Sequence, residues 1–279
     1  MVQADYHMHT SFSTDSLASV ESMIEAAISN GLKYCCITDH MDYDYPSHQT
    51  LPSGKKEFEL NPEAYFTALT HYKEIYKKQI DIGIGIELGL RNEPQQKEKT
   101  KSYYQKLLSL YPFDFCIGST HVLNYIDPYE SEYWRDKPEQ EALNDYFLSN
   151  FENINFYNDF QVYGHFDYIV RYFPSGIRNY LLEDYLDIID LGLKKGIEKG
   201  IGIECNTSGY AHGLSNPHPK LELLKRYRKL GGEIITIGSD AHSPKQVARN
   251  FKQAEELLKE AGFRYYTLFH EKESKFIPF

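Results

Sequence analysis

The alternation of short apolar runs with helix-like segments constrains the fold of this chain more than any other feature. Seven strand-like runs lie at 2–8, 34–38, 82–86, 113–118, 161–163, 201–203 and 234–238. Strands that alternate with helices are typical of a parallel sheet, either closed as a barrel or left open. Because we find no linker-like stretch, we expect an α/β fold and a single domain over residues 1–279.

Capping residues and glycines mark the helices between these runs. Ser19 and Gly31 bracket a helix over 19–30, and Asn61-Pro62 begins another that extends to about 78. A polar loop that contains Pro46 and Pro52 separates them. Further helices are predicted near 99–110, 139–153, 180–199, 219–230 and 245–261, and the tail at 265–269 is a candidate for a terminal strand.

Charge and composition exclude several classes of protein. The 30 Lys and Arg against 40 Asp and Glu give a net charge of -10, which disfavours a nucleic-acid binder. No apolar run approaches the length of a membrane span, and we see no signal peptide. The cysteines, Cys35, Cys36, Cys116 and Cys205, lie in apolar runs and match no zinc motif. We expect buried free thiols and a cytoplasmic location.

Potential metal ligands follow the predicted strands. His7 and His9 are two residues apart on an alternating strand, so both point to the same face. In β/α barrels, the chemistry lies at the carboxyl ends of the strands. The side chains expected there are His7, His9, His40, Glu87, His121, His165, Asn206, Asp240 and His242. Six of the 11 histidines are in this set, so chance placement explains it poorly.

Imidazole and carboxylate together are the ligand set of zinc, manganese or iron. The predicted set is too large for one ion, which takes four to six ligands. We therefore expect two or three ions that share a bridging carboxylate. Paired divalent ions suit the hydrolysis of phosphoesters, since they hold both the attacking and the leaving oxygens.

Together these motifs resemble those of the polymerase-and-histidinol-phosphatase (PHP) hydrolases over essentially the whole chain. The resemblance is carried by His7-Met8-His9, Thr38-Asp39-His40, Glu87, Ser119-Thr120-His121, Gly164-His165 and Ser239-Asp240-Ala241-His242, in the family's order. It implies a distorted TIM-like barrel of seven β/α units with a centre of three divalent metal ions.

The resemblance also implies how the ions are bound. The first ion would take His7, His9, Glu87 and Asp240. The second would take His121, His165 and the shared Glu87. The third would take His40, His242 and Asp15. Some family members have histidine where this chain has Asp15, and a carboxylate there favours a harder metal.

Within the family, two stretches resemble the histidinol-phosphate phosphatases. They are 164–172, which begins Gly-His-Phe-Asp, and 204–209, which reads Glu-Cys-Asn-Thr-Ser-Gly. The implied reaction converts L-histidinol phosphate and water to L-histidinol and phosphate, late in histidine biosynthesis. A hydroxide that bridges two ions is the expected nucleophile.

Residues that contact the substrate are harder to assign. Arg171 is the candidate phosphate clamp, with Arg178 as its competitor. The leaving oxygen would receive its proton from a metal-bound water, from Asp240 or from Asp15, and the sequence does not choose among them.

Recognition of the amino and imidazole groups requires further contacts. Asn206 is the candidate for this role. We expect Glu204 to face away from the site, because it alternates with Cys205. Phe12, Tyr43 and Tyr172 are aromatic loop residues that could stack on the substrate.

Three alternatives remain open from the sequence. The first is a phosphatase of the same family that acts on phosphotyrosine, nucleotides or sugar phosphates. The second is a nuclease acting on DNA ends, which the acidic balance argues against. The third is a protein that stores metal without turnover, which the complete ligand set argues against. Oligomeric state is not predicted.

Overall fold

The computed structural model describes residues 2–46 and 56–279, and its centre is one sheet of parallel strands. The predicted loop around Pro52 lies outside the described residues. The strands are β1 (Ala4–Asp5), β2 (Tyr34–Ile37), β3 (His40–Met41), β4 (Asp81–Gly89), β5 (Phe115–Ser119), β6 (Val162–Tyr163), β7 (Gly202–Asn206) and β8 (Ile235–Gly238). They pair in the order β1-β2-β4-β5-β6-β7-β8, and the short β3 pairs with β4.

The two edges of this sheet meet, so that the sheet forms a nearly closed barrel of seven strands. Backbone hydrogen bonds join the segment after β1 to β8: Tyr6 N donates to Ile237 O at 3.0 Å, and Asp240 N donates to His7 O at 2.8 Å. Met8 and Ala241 form a parallel bridge. The predicted α/β class and the distorted barrel of seven strands are confirmed.

Helices surround the barrel. They are α1 (Val20–Ser29), α2 (Pro62–Tyr76), α3 (Lys97–Leu110), α4 (Glu139–Phe156), α5 (Leu186–Glu198), α6 (Ser208–Ala211), α7 (Leu221–Lys229) and α8 (Phe251–Glu260). The predicted caps are present, because Ser19 accepts from Ser22 N and Asn61 accepts from Ala64 N. Gly31 ends α1 with a φ of 75°, which suits a residue without Cβ.

Two predicted helices begin later in the structure. In the segment predicted as a helix over 180–199, a 3₁₀ turn at Leu182–Tyr185 precedes α5. In the segment predicted over 245–261, a 3₁₀ turn at Pro244–Gln246 is followed by residues with positive φ, and α8 begins only at Phe251. Both segments start with tight turns. The hydrophobic periodicity of a sequence does not distinguish such turns from the first turn of a helix, so both helices were predicted to begin too early.

The tail folds as a hairpin that closes the amino end of the barrel. Strands β9 (Tyr265–His270) and β10 (Glu273–Pro278) form a separate antiparallel sheet and add no strand to the barrel. The Tyr6 hydroxyl donates to Phe269 O at 2.9 Å, and its ring stacks on Tyr34 with centroids 4.9 Å apart. Aromatic packing therefore fills this end, and the carboxyl ends of the strands lie at the other.

The state of the cysteines agrees with the prediction. The four cysteines are buried free thiols, as predicted. Among the helices in the described part of the chain, none has both the length and the apolar character that crossing a membrane requires.

Candidate metal centre

Glu87 lies at the centre of the predicted ligands, at the carboxyl ends of the barrel strands. Its Oε1 is 2.9 Å from His165 Nε2 and 3.2 Å from His121 Nε2. Its Oε2 is 3.1 Å from His40 Nδ1 and 3.2 Å from His7 Nε2. One fully buried carboxylate thus faces two separate pairs of imidazoles, as a bridging ligand must.

Two further carboxylates complete the cluster. Asp240 Oδ1 is 3.3 Å from His9 Nε2 and 3.7 Å from His7 Nε2. Asp15 Oδ2 is 3.0 Å from His242 Nε2. It is also 3.6 Å from His40 Nε2. The structure therefore brings together all nine residues that were predicted as ligands.

The donor atoms of this cluster fit divalent metal ions. Four groups of side chains in the described residues have ligand atoms close enough to hold an ion: His7, His9 and Asp240; Glu87, His121 and His165; His9, His40 and His242; and His40, Asp42 and His121. Buried polar atoms without a hydrogen bond point into the cluster, namely His7 Nε2, His9 Nε2, His40 Nδ1 and Glu87 Oε2. Such atoms are costly unless a ligand satisfies them.

The carboxylates and imidazoles of the cluster shift the pKa values of one another. Burial lowers the pKa of His7, but Glu204, Glu87 and Asp240 together raise it well above its ordinary value. Burial raises the pKa of Glu87, but the surrounding histidines lower it well below its ordinary value. Burial and the neighbouring imidazoles of His242 and His40 lower the pKa of His9 to about 3. The carboxylates are thus held in the ionised form that binds metal.

A buried carboxylate on β7 orients two of these histidines, and the expectation that Glu204 faces away was wrong. Glu204 Oε1 is 2.7 Å from His7 Nδ1, and its Oε2 accepts from His165 N at 3.0 Å. Side chains two apart on a strand share a face, so Glu204 and Asn206 lie on the same side. That periodicity was the signal that could have found Glu204.

Asp42 and Asp39 are functional residues that sequence reasoning did not single out. Asp42 Oδ1 lies 2.7 Å from His121 Nδ1, so it orients the ring with Nε2 toward Glu87. The Asp39 carboxylate accepts from Thr10 N at 2.6 Å and from Ser13 N at 3.1 Å, which ties the loop that carries Asp15. Asp39 belongs to the Thr38-Asp39-His40 motif, whereas the only sequence signal of Asp42 is its place two residues after His40.

A cavity of about 480 Å³ opens above the cluster. Its wall includes Asp15, His40, Glu87, His121, His165, Asp240, His242 and Arg171. The half-buried guanidinium of Arg171 lies over the rings of Tyr168 and Tyr172, at 4.0 and 4.9 Å from their centroids. The candidate phosphate clamp therefore shares one cavity with the candidate metal ligands.

Of the other candidate contacts, Asn206, Tyr43 and Phe12 do not line this cavity, whereas Tyr172 does. Asn206 is fully buried; its Oδ1 accepts from Ser208 N at 2.9 Å, and its Nδ2 donates to Glu204 at 3.1 Å. That geometry favours a positioning role for Asn206 over contact with substrate. Of the aromatic candidates, Tyr172 lines the cavity, whereas Tyr43 stacks on Tyr103 at 4.1 Å between centroids.

Comparison with known proteins gives a consistent result. Residues 5–208 match the family model described as PHP domain. The chain is 30% identical to a histidinol-phosphatase of Lactococcus lactis over 275 residues, covering 96% of this chain and 95% of the relative. It is 32% identical to a probable histidinol-phosphatase of Clostridium acetobutylicum over 270 residues, covering 96% of each.

A solved structure extends the likeness to three dimensions. The crystal structure of the Lactococcus lactis histidinol phosphate phosphatase, in complex with zinc, L-histidinol and phosphate, superimposes with a TM-score of 0.86. The two chains are 28% identical, and the match covers 98% of each. The family model, the relatives and the barrel agree, and this chain belongs to the PHP-domain family.

Proposed function

We infer that this chain is a metal-dependent phosphomonoesterase that hydrolyses L-histidinol phosphate to L-histidinol and phosphate, a step of histidine biosynthesis. The observation that carries this inference is the match over 98% of the chain to a structure that holds zinc, L-histidinol and phosphate. The relatives named histidinol-phosphatase support it over 96% of the chain. The buried free thiols suit a reducing compartment, so we place this reaction in the cytoplasm.

We propose three divalent ions in the cluster. The first would be held by His7, His9, Glu87 and Asp240, the second by Glu87, His121 and His165, and the third by Asp15, His40 and His242. Zinc, manganese and iron all suit this mixed set of imidazoles and carboxylates. Ions bound there would polarise the phosphoryl oxygens and favour ionisation of water near neutral pH.

The chain's own residues bind the substrate and move protons. Arg171 presents a planar guanidinium to the cavity, which suits two parallel hydrogen bonds to phosphoryl oxygens. The rings of Tyr168 and Tyr172 hold that guanidinium in place. Despite burial, neighbouring imidazoles hold the pKa values of Asp240 and Asp15 below their ordinary range. Both carboxylates are therefore ionised at neutral pH, and we propose that one of them takes the proton that the attacking water gives up and passes it to the leaving oxygen.

The test of this function is phosphate release from L-histidinol phosphate by protein of measured metal content. The comparison substrates are para-nitrophenyl phosphate, phosphotyrosine and a nucleoside monophosphate. We expect kcat/KM for L-histidinol phosphate on the order of 10⁴–10⁶ M⁻¹s⁻¹, well above the values for the other substrates. Equal activity on the whole panel would keep the phosphatase chemistry and reject the substrate assignment.

The role of Arg171 has its own test. Replacement of Arg171 with Ala removes the proposed phosphate contact, and we expect kcat/KM to fall roughly 10–100-fold, as for a lost charge-assisted hydrogen bond. Arg135→Ala, on an exposed surface away from the cavity, is the control for loss of one positive charge. An Arg171→Ala protein with normal metal content and unchanged kcat/KM would reject the assignment.

A further inference from the structure

Arg249 is a second arginine on the cavity wall, and no group in residues 2–46 and 56–279 forms a hydrogen bond or ion pair with its guanidinium. It lies between β8 and α8 and lines the same cavity as Asp15 and His242. Its side chain is half-buried, and its Nε is fully buried without a hydrogen-bond partner. In the part of the chain that the structure describes, Arg249 forms no ion pair with any carboxylate.

Apart from Arg171, the proposed phosphate clamp, whose Nε is also buried without a partner, the other buried and half-buried arginines of the described residues bind a carboxylate. Arg91 Nε donates to Glu93 at 2.9 Å, and Arg226 Nε donates to Asp190 at 2.7 Å. A guanidinium that loses contact with water and gains no partner costs free energy. The exception at Arg249 is therefore expected of a side chain whose partner is an anionic ligand.

The backbone on both sides of Arg249 is strained. Ala248 and Asn250 have φ values of 55° and 61°, in the left-handed region that residues with a Cβ rarely adopt. The Asp5 carboxylate holds this conformation, because it accepts from Ala248 N at 3.0 Å and from Ser239 N at 2.9 Å. Backbone strain that is held in place from outside the segment is a mark of functional positions.

The same segment is tied to a candidate metal ligand. Gln246 Oε1 accepts from His242 N at 2.8 Å, and Gln246 O accepts from Arg249 N at 3.1 Å. The short turn therefore holds the backbone of Arg249 in fixed relation to the backbone of His242, and both side chains line the same cavity. An anion bound at the cluster would lie within one continuous cavity with this guanidinium.

We propose that Arg249 is a second phosphate-binding residue of the active site. It contacts the phosphoryl oxygens from the side of Asp15 and His242, while Arg171 contacts them from the side of Tyr168. Two guanidinium groups match the two negative charges of a phosphomonoester dianion. This assignment rests on the proposed phosphatase function and adds a specificity-determining residue to it.

The experiment uses the Arg249→Met holoenzyme, in which the side chain at position 249 keeps an unbranched stem and loses its charge. It compares the binding of inorganic phosphate with the binding of L-histidinol, the two products of the proposed reaction. We expect KM for L-histidinol phosphate and the inhibition constant of inorganic phosphate each to rise about 10–100-fold. The inhibition constant of L-histidinol, which carries no phosphate, should change less than about two-fold. Arg249→Lys, which keeps the charge without the planar fork, should give intermediate values.

Controls separate this role from a structural one. Lys245→Met removes one positive charge from an exposed position of the same segment and should leave all three constants unchanged. Unchanged phosphate inhibition in Arg249→Met would overturn the proposal, and so would an equal loss of affinity for phosphate and L-histidinol.

Failure of the proposed function gives a different result. If the parent protein does not hydrolyse L-histidinol phosphate, titration of the metal-loaded proteins with inorganic phosphate still measures the contribution of Arg249. Weaker phosphate binding by Arg249→Met would then support the phosphate site while the substrate assignment is rejected. Equal phosphate binding by the parent and variant proteins would overturn the site.

Discussion

The carboxylate of Glu204 lies 2.7 Å from Nδ1 of His7, and both side chains are fully buried. This contact turns the imidazole so that its other nitrogen, Nε2, lies 3.2 Å from Glu87. Gly238 on β8 makes the contact possible, since a Cβ at that position would overlap Glu204 Oε1 and His7 Cβ. Glu204 on β7 thus orients the candidate ligand His7, and Gly238 on β8 leaves the space that this contact needs.

Replacement of Glu204 with Gln should weaken metal binding without removing a ligand. The amide is a poorer acceptor for the imidazole N–H than the carboxylate, and loss of such partners typically costs about 10–100-fold in metal affinity. Metal retained after dialysis against a graded series of chelator concentrations measures the effect. Glu198→Gln, on the exposed end of α5, is the matched control. Equal metal retention in both variants would show that Glu204 does not orient His7.

Gly89→Ala should disturb the second proposed ion through Asp42. A Cβ on Gly89 would overlap the Asp42 carboxylate, which orients His121 through its Nδ1 at 2.7 Å. We expect loss of roughly one of three ions per chain and a fall in kcat of about 10-fold or more. Gly192→Ala is the control, since its Cβ would make only ordinary contacts. Full metal occupancy and full activity in Gly89→Ala would contradict this prediction.

Metal binding to the metal-free protein should release protons at pH 7. Burial lowers the pKa values of His7, His40 and His121, but nearby carboxylates raise them above 6.5, to about 10 for His121. These imidazoles are then protonated at neutral pH, and an ion must displace their protons, so the apparent affinity rises with pH. Calorimetric titration in two buffers of different ionisation enthalpy counts the protons. Identical heats in the two buffers would contradict the prediction.

The Asp190–Arg226 pair should stabilise the packing of α5 against α7 in a pH-dependent manner. Arg226 hydrogen bonds lower the pKa of Asp190 below its ordinary value of 3.8. The stabilisation is therefore present above about pH 4, the pKa range of an unfolded aspartate, and is lost as pH falls through the lower folded pKa. At pH 7, Asp190→Asn should reduce the free energy of unfolding by about 0.5–1 kcal/mol, a small value because the pair is partly exposed.

Urea denaturation at pH 7 and at pH 3 measures this contribution. Glu260→Gln breaks the exposed Lys225–Glu260 pair and should have a smaller effect at pH 7. A larger loss from Asp190→Asn at pH 3 than at pH 7 would have the wrong sign and would reject the linkage.

The alternation of strands and helices predicted the parallel sheet and eight of the nine candidate ligands for one physical reason, whereas the closed barrel and the ligand Asp15 were implied by the family resemblance. Parallel strands joined by helices bring their carboxyl ends to one side, so the residues after each strand converge however far apart they are in the chain. The orienting residues Glu204 and Asp42 escaped this reasoning, because their role depends on which nitrogen of a partner ring they contact. Such pairings join distant segments, so spacing can place Glu204 on the same face as Asn206 but does not show which ring nitrogen it contacts.

The turns were harder to predict than the strands. The late start of α8 depends on the left-handed backbone at Ala248 and Asn250, which Asp5 holds from the other end of the sequence. That turn carries Arg249, whose buried Nε has no hydrogen-bond partner among the described residues. Neither feature has a local signature, since alanine at a positive φ contradicts the residue's own preference.

Closure of the barrel between the segment after β1 and β8 has a consequence for biosynthesis. The imidazoles of His7 and His9 emerge from the ribosome first, and Asp240 is among the last ligands to emerge. A nascent chain that extends just past β6 already contains Glu87, His121 and His165, but it lacks Asp240, the carboxylate that completes the group of His7 and His9. On the proposed assignment of ligands, full metal loading would therefore require Asp240 and would follow the slow, long-range closure of the sheet.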